Sequence, residues 1–457
     1  MRSQFRWRAC AMAVVMALSA PLMAQEFAGR DKLRAHSAEF RKEVIKVTDG
    51  VYVAVGFSLG NAILIEGDGG SIIVDTTSSV ADAREVKAEF AKISTAPVRA
   101  IIYTHFHPDH TGGASVFAGD DRPEIYSHQL LVERAPDIGG AGRDGGNQFG
   151  SSLPDALYIN AGIGPGIGRR ATVATPAAGP APAQPQGFIR PTRTFNTDRM
   201  PLTIAGIRLE LLHTPGETSD AITVWLPDQR VLMPGDNFYR AFPNLYAIRG
   251  VRLRPVDQWI ASLAKMMALE PEHMVPSHTR PISGAGNVSA ALTAYHDGIK
   301  SVLDQTLDGM RKGQRPDELV QRVKLPPALA DNPYLQEFYG TVPWSVRAIY
   351  TDYVGWFDGN AANLFPLAAP ERAARIVALA GGADRVAESA RTALAAGQFQ
   401  WAAELADYLL LVDAANVTAK RLKAQALTEL GERQISANAR NYYLTTAQFL
   451  LRSLPPQ

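Results

Sequence analysis

The fold class this sequence predicts is α/β: two stacked sheets with helices outside them, followed by a part made of helices alone. Three observations predict it. Short apolar and β-branched runs separated by Gly and Asp turn signals fill the stretch from about Val44 to Val74. A second strand-rich stretch follows, near 202–213, 221–226 and 230–234. After about residue 290 strand signals vanish, and Ala, Leu, Glu and Arg recur at helical spacing. A chain of 457 residues is long enough for two or three folding units.

The chain opens on a segment unlike the rest. Arg2, Arg6 and Arg8 precede the apolar run AMAVVMALSAPLM, and Ala24 follows as a cleavage position, which is the layout of a signal peptide. The apolar run is shorter than the roughly 20 residues a spanning helix needs, so residues 1–24 are expected to be removed and the mature protein to be periplasmic or secreted. The single cysteine, Cys10, lies inside this leader. The mature chain then has no thiolate to offer a metal, and any ion must be held by His, Asp and Glu.

The runs VIKV, VYVAVGF, NAILIEG and SIIVD are expected as a meander of strands. Residues 79–94 carry apolar side chains at helical spacing, and VRAIIYTH returns to a buried strand. From about 136 to 195 runs a long irregular stretch rich in Gly, Pro and Ala, expected to border a pocket in its first half. A sandwich domain is expected over 25–290 and a helical domain over 291–457, where 384–430 holds two helix pairs of tetratricopeptide-like pattern. The 46 basic and 45 acidic residues nearly cancel, which argues against a chain-wide grip on nucleic acid or anionic membranes. No later segment has the length and apolarity of a membrane span.

The chemistry concentrates in THFHPDHTGG, which places His105, His107, Asp109 and His110 within six positions just after a buried strand. Four ligand-type side chains on one tight turn can converge on cations as regular helix or strand spacing could not. One ion cannot use all four comfortably. His105 and His107 are therefore expected to serve one site, and Asp109 and His110 a neighbouring one, with a water shared between two ions.

His-x-His-x-Asp-His followed by Gly-Gly resembles the metal signature of the metallo-β-lactamase superfamily, an αββα sandwich, and further pieces appear in order. HTPGETSDAITV resembles its third motif, with Glu217 where a histidine is more common; VLMPGD supplies Asp236 in the place of the bridging carboxylate, and VPSHTRP offers His278. The resemblance implies His105, His107 and Glu217 on one metal, Asp109, His110 and His278 on the other, and Asp236 between them, with His213 the competitor for the part of Glu217. It implies two zinc ions per chain, although such oxygen-rich sites also accept manganese or iron.

Within the superfamily the chain resembles the alkyl sulfatases over about residues 40–448, through GFSLGNAILIEGDGGSIIVDT, QFGSSLP, NLYAIRG, NPYLQEFYGTVPWSVRAIY, YVGWFDGN and SANARNYYLT. That implies a binuclear hydrolase cleaving alkyl sulfate esters to an alcohol and inorganic sulfate, with metal-held hydroxide as nucleophile or base and Asp109 and Asp236 as the catalytic carboxylates. Arg249 is the implied sulfate contact, its planar fork suiting tetrahedral oxyanions. Asn244, Tyr246 and Tyr353 are further candidates. The helical part is implied to form a homodimer, with Trp344, Trp356, Phe357 and Trp401 shared between core and interface.

The chain departs from that family at Phe149, where a tyrosine is expected, at Asp236, shorter than the expected glutamate, and at Arg240 and Pro243, where histidines are frequent. The sterol-carrier-like domain that follows the helices in full-length members is also not seen before Gln457, which leads to the expectation that long-chain esters are poorer substrates. Two other readings stand beside this one: a hydrolase of the same fold acting on a β-lactam, lactone or phosphoester, and a non-catalytic scaffold built on the helical part.

Overall fold

The computed structural model describes residues 27–134, 187–248 and 252–455. The expected leader, most of the long irregular stretch with Phe149, and Arg249 lie outside the described residues.

The first sheet begins as the expected meander: β1 (Glu43–Thr48), β2 (Val51–Val55), β3 (Ala62–Gly67) and β4 (Gly70–Val74) pair antiparallel in turn. Asp49 and Gly50 make the first reversal, and Gly50 takes φ 73°, which costs a residue without Cβ least. Beyond β4 the sheet turns parallel, with β5 (Val98–Ile102), β6 (Glu124–His128) and β7 (Arg193–Phe195) added in order. A parallel neighbour needs a crossover. The first is the helix Val80–Phe90, opened by Ser79 accepting from Asp82 N and burying Ala83, Val86 and Phe90 along one stripe.

The second sheet has the order β13-β12-β11-β10-β9-β8, built from β8 (Arg199–Ile204), β9 (Ile207–His213), β10 (Ile222–Leu226), β11 (Val231–Met233), β12 (His273–Met274) and β13 (Ile282–Ser283). The stretch read as strand at 202–213 is a hairpin, because Ala205 and Gly206 both take positive φ and reverse the chain.

Alternation along the strands sorts side chains into layers. Val53, Val55, Ile63, Ile65, Ile72 and Val74 face Leu209, Leu211, Ile222, Val224, Val231 and Met233 between the sheets. The outer face of the first sheet packs on the helix Val80–Phe90. That of the second, with Leu212, Trp225, Leu232 and Met274, packs on the helices Val256–Met267 and Ala285–Arg311. This is the αββα sandwich expected.

The boundary expected at 290/291 falls inside the helix Ala285–Arg311, and one apolar core runs from Leu212 on β9 to Ile349 in the helix Val342–Val354. The sandwich and the first helices beyond it therefore fold on a shared core. Farther on come the helices Ala369–Leu379, Ala383–Ala395, Phe399–Val412, Val417–Arg433 and Ala437–Arg452. Among the described residues no helix is long and apolar enough to cross a membrane.

Candidate metal centre

The site forms where strands end. Asp75 follows β4, Thr104, His105 and His107 follow β5, Glu217 lies between β9 and β10, Asp236 follows β11, and His278 follows β12. β9 and β11 point the same way because each is antiparallel to β10, so their loops open at one end of the sheet. The two sheets are laced together there: Ile222 N donates to Thr104 O at 2.8 Å, and Asn61 N donates to Ser277 O at 2.7 Å. Pro108 starts a one-turn helix, Pro108–Thr111, directly after His107, which folds Asp109 and His110 back beside the two histidines before them.

All seven expected ligands come together. His105, His107, Glu217 and Asp236 form one group and Asp109, His110 and His278 another, each with its ligand atoms within 4.8 Å of one another. Asp236 reaches both groups, with Oδ2 3.9 Å from His105 Nε2 and 3.1 Å from His278 Nε2, and Oδ1 3.5 Å from His110 Nε2. His213 is elsewhere. Its Nε2 meets Ser219 O at 2.9 Å and its ring stacks on His128 at 3.8 Å, so Glu217 and not His213 belongs to the cluster.

The imidazoles are set for cations by their outer nitrogens. His105 Nδ1 donates to Thr104 Oγ1, whose own proton goes to Asp75; His110 Nδ1 donates to Asp75 Oδ2, and His278 Nδ1 donates to Leu59 O. Each then turns an Nε2 lone pair inward. His105 Nε2 faces His107 Nδ1 at 2.9 Å, and Glu217 Oε2 lies 3.2 Å from that same His107 nitrogen. His110 Nε2, Glu217 Oε2 and Asp236 Oδ1 are buried with no hydrogen-bond partner. Orphaned buried acceptors aimed at one centre, with imidazole and carboxylate donors only, fit bound metal.

Charge in the cluster is balanced in pairs. Burial pushes the Asp236 carboxyl up, but His278 and His110 hold it well below the usual range. Burial lowers His110, and Asp109, Asp236 and Asp75 more than reverse this, so it lies well above its ordinary value and a proton competes with a cation for its Nε2. His105 is pushed down to about 3, by burial first and then by His110.

Several residues of the site had no sequence signal of their own. The Asp75 carboxylate accepts from Thr104 N and Oγ1, from Ser277 Oγ and from His110, while its backbone sits at φ 57°. Thr77 and Thr279 are likewise left-handed, at 70° and 66°, so strained backbone brackets the cluster. Asn61 Nδ2 donates to Pro276 O and Thr279 O and pins the His278 loop. Asn237 Oδ1 accepts from Glu217 N, and its Nδ2 donates to Thr214 O. Arg254 pairs with Glu217 and donates to Asn244 O. The Asp220 carboxyl is buried without a hydrogen-bond partner and is pushed by that burial up to about 6.

Of the expected substrate contacts, Asn244 is buried, its N donating to Tyr239 Oη while its side-chain amide has no partner. Tyr246 is half-buried. Tyr353 is 50 % exposed and shares a crevice with Leu253, Arg254 and Asp352.

The metallo-β-lactamase superfamily model matches residues 55–278, and a model described as alkyl sulfatase dimerisation matches residues 315–453. The chain is 40 % identical over 401 residues to a linear primary-alkylsulfatase from a Pseudomonas species, covering 85 % of this chain and 73 % of that one. It is 30 % identical to an (R)-specific secondary-alkylsulfatase from Pseudomonas, over 90 % of this chain and 63 % of that protein, so it spans less than two thirds of that relative. The solved structure of the stereoselective inverting sec-alkylsulfatase Pisa1 from a Pseudomonas species superposes with a TM-score of 0.81 at 27 % identity, over 93 % of this chain and 68 % of that one.

Proposed function

The chain belongs to the alkylsulfatase family of the metallo-β-lactamase superfamily, and from that premise we propose that it hydrolyses alkyl sulfate esters to an alcohol and inorganic sulfate with two zinc ions per chain. The observation that carries the reading is the inward set of buried, unpartnered acceptors, His110 Nε2, Glu217 Oε2 and Asp236 Oδ1, beneath a family match over most of the chain.

His105, His107 and Glu217 would hold one cation and Asp109, His110 and His278 the other, with Asp236 placed to serve both. When bound, such a pair supplies Lewis acidity that acidifies water and stabilises charge on the departing oxygen. The protein does the rest. Side-chain exposure in the cluster is largest at His107, 14 %, and Asp109, 17 %, so the ester approaches from that side. Asp109 and Asp236 are held ionised and can accept hydrogen bonds from the attacking water, fixing its direction. The unpartnered Asn244 amide can donate to a sulfate oxygen, and Arg249 is proposed to grip the same group. We further propose export after removal of residues 1–24, and a homodimer joined through the helical part, which leaves Trp356 72 % and Phe365 96 % exposed within the matched dimerisation region.

A substrate panel tests this: dodecyl sulfate, a secondary alkyl sulfate, nitrocefin and a phosphodiester, run on wild type beside Asp109→Ala. Sulfate release by wild type alone is expected. No sulfate release from either sulfate ester, with turnover of nitrocefin or the phosphodiester, overturns the assignment. Oxygen-18 water then locates the bond broken, since label in the alcohol means attack at carbon and label in sulfate means attack at sulfur.

A further inference from the structure

Among the described residues, Glu217 is the carboxylate of the cluster that has a guanidinium beside it. Arg254 lies just before the helix Val256–Met267, and both side chains are almost wholly buried, at 3 % and 5 % exposure. Its Nη2 pairs with Glu217 Oε1, and its Nη1 donates to the carbonyl of Asn244. Glu217 Oε2 is left without a hydrogen-bond partner, 3.2 Å from His107 Nδ1 and 3.6 Å from His105 Nε2.

A free carboxylate can present either oxygen, or both, to a cation. Here one oxygen is already engaged by a group that cannot lose its charge and whose planar fork resists rotation. The backbone holds the glutamate from the other side, because Glu217 N donates to Asn237 Oδ1 and Trp259 Nε1 donates to Asn237 O.

We propose that Arg254 is the positioning residue of Glu217, holding it as a one-oxygen ligand for the cation shared with His105 and His107 and offsetting its charge. The inference rests on the metal reading above. Arg254 acts through Glu217, so its influence is confined to one of the two ions and vanishes when Glu217 loses its carboxylate.

The test is a zinc titration of apo protein against a chromophoric chelator, for wild type, R254Q, R254K, E217Q and the E217Q/R254Q double variant, with the thermal midpoint of each apo form recorded. R254Q is expected to weaken one zinc ion by about 10- to 100-fold and to leave the other as in wild type. Adding R254Q to E217Q is expected to cost no further affinity, and R254K, which keeps the charge without the fork, to fall between wild type and R254Q. Wild-type affinity for both ions in R254Q overturns the proposal, as does an equal loss on the E217Q background. If R254Q does not fold, R254K carries the test by the same criterion. Wild type that takes up no zinc removes the metal reading and this inference with it, whereas wild type that binds zinc no better than R254Q removes this inference alone.

Discussion

Oδ2 of Asp75 lies 2.8 Å from Nδ1 of His110, and both side chains are fully buried. The contact sets the tautomer of His110 and aims its Nε2 at Asp109 and Asp236, at 3.4 and 3.5 Å. Asp75→Ala is expected to lower metal affinity by about 10- to 100-fold. It also strips acceptors from Thr104 and Ser277, at roughly 1–3 kcal/mol for each buried donor left unpaired. Metal analysis and a denaturant melt of the apo protein read the two effects separately; wild-type metal affinity would show that His110 needs no such support.

Asp109→Ala acts on the metal group and little on the fold. The side chain is 17 % exposed, the most open of the cluster. Loss of one ion and of sulfate release is expected, with the apo thermal midpoint within a few degrees of wild type. Two ions retained by this variant would take Asp109 out of the ligand set.

Gly216 is packed where no side chain fits. A Cβ there would lie 2.4 Å from Asn237 Oδ1 and 2.8 Å from a ring carbon of Trp259. Gly216→Ala is expected to cost about 1–3 kcal/mol and to displace Glu217 next to it, so metal affinity falls together with stability. Calorimetric unfolding with and without zinc checks both.

Chelation is expected to lower the thermal midpoint, and added zinc to restore it. A ligand present at a thousand times its dissociation constant stabilises the folded state by about 4 kcal/mol. A midpoint indifferent to chelator would mean that the inward lone pairs are satisfied without metal.

Acid sensitivity is expected away from the cluster, at His36. Its ring stacks on Phe338 at 4.0 Å, and burial, then Arg240, holds its pKa down at about 4. The unfolded chain takes up the proton near pH 6.5, so the contribution is complete above that pH and is lost as pH falls toward 4. The loss amounts to up to about 3 kcal/mol at 1.36 kcal/mol per unit. His36→Phe, which keeps the stack without the proton, should show a smaller drop in thermal midpoint between pH 7 and pH 5 than wild type. An equal drop would clear His36 as its source.

The ligand set was legible because its largest part is local. His105, His107, Asp109 and His110 share one turn, and spacing alone marks them as convergent. Glu217, Asp236 and His278 were legible only through motif resemblance, and spacing could not choose between Glu217 and His213, four positions apart. The fold chose, because His213 still belongs to β9 and is drawn to Ser219, whereas Glu217 lies in the loop beyond, held by Asn237. The hairpin at Ala205 and Gly206 and the helix running through residue 290 escaped a reading by period, which sees apolar spacing but not chain reversal or shared packing.

Taken alone, the amino-acid order determined the layered α/β class, the metal-binding turn and the helical second part, since each follows from side-chain period or from ligands adjacent in the chain. Only the tertiary structure decided which groups support the ligands: Asp75 behind His110, Asn61 beneath the His278 loop, Arg254 against Glu217. Those partners sit 35, 215 and 37 positions apart, and the contacts between them exist only once strand ends and loops distant in the chain have met, across both stacked sheets in the case of Asn61.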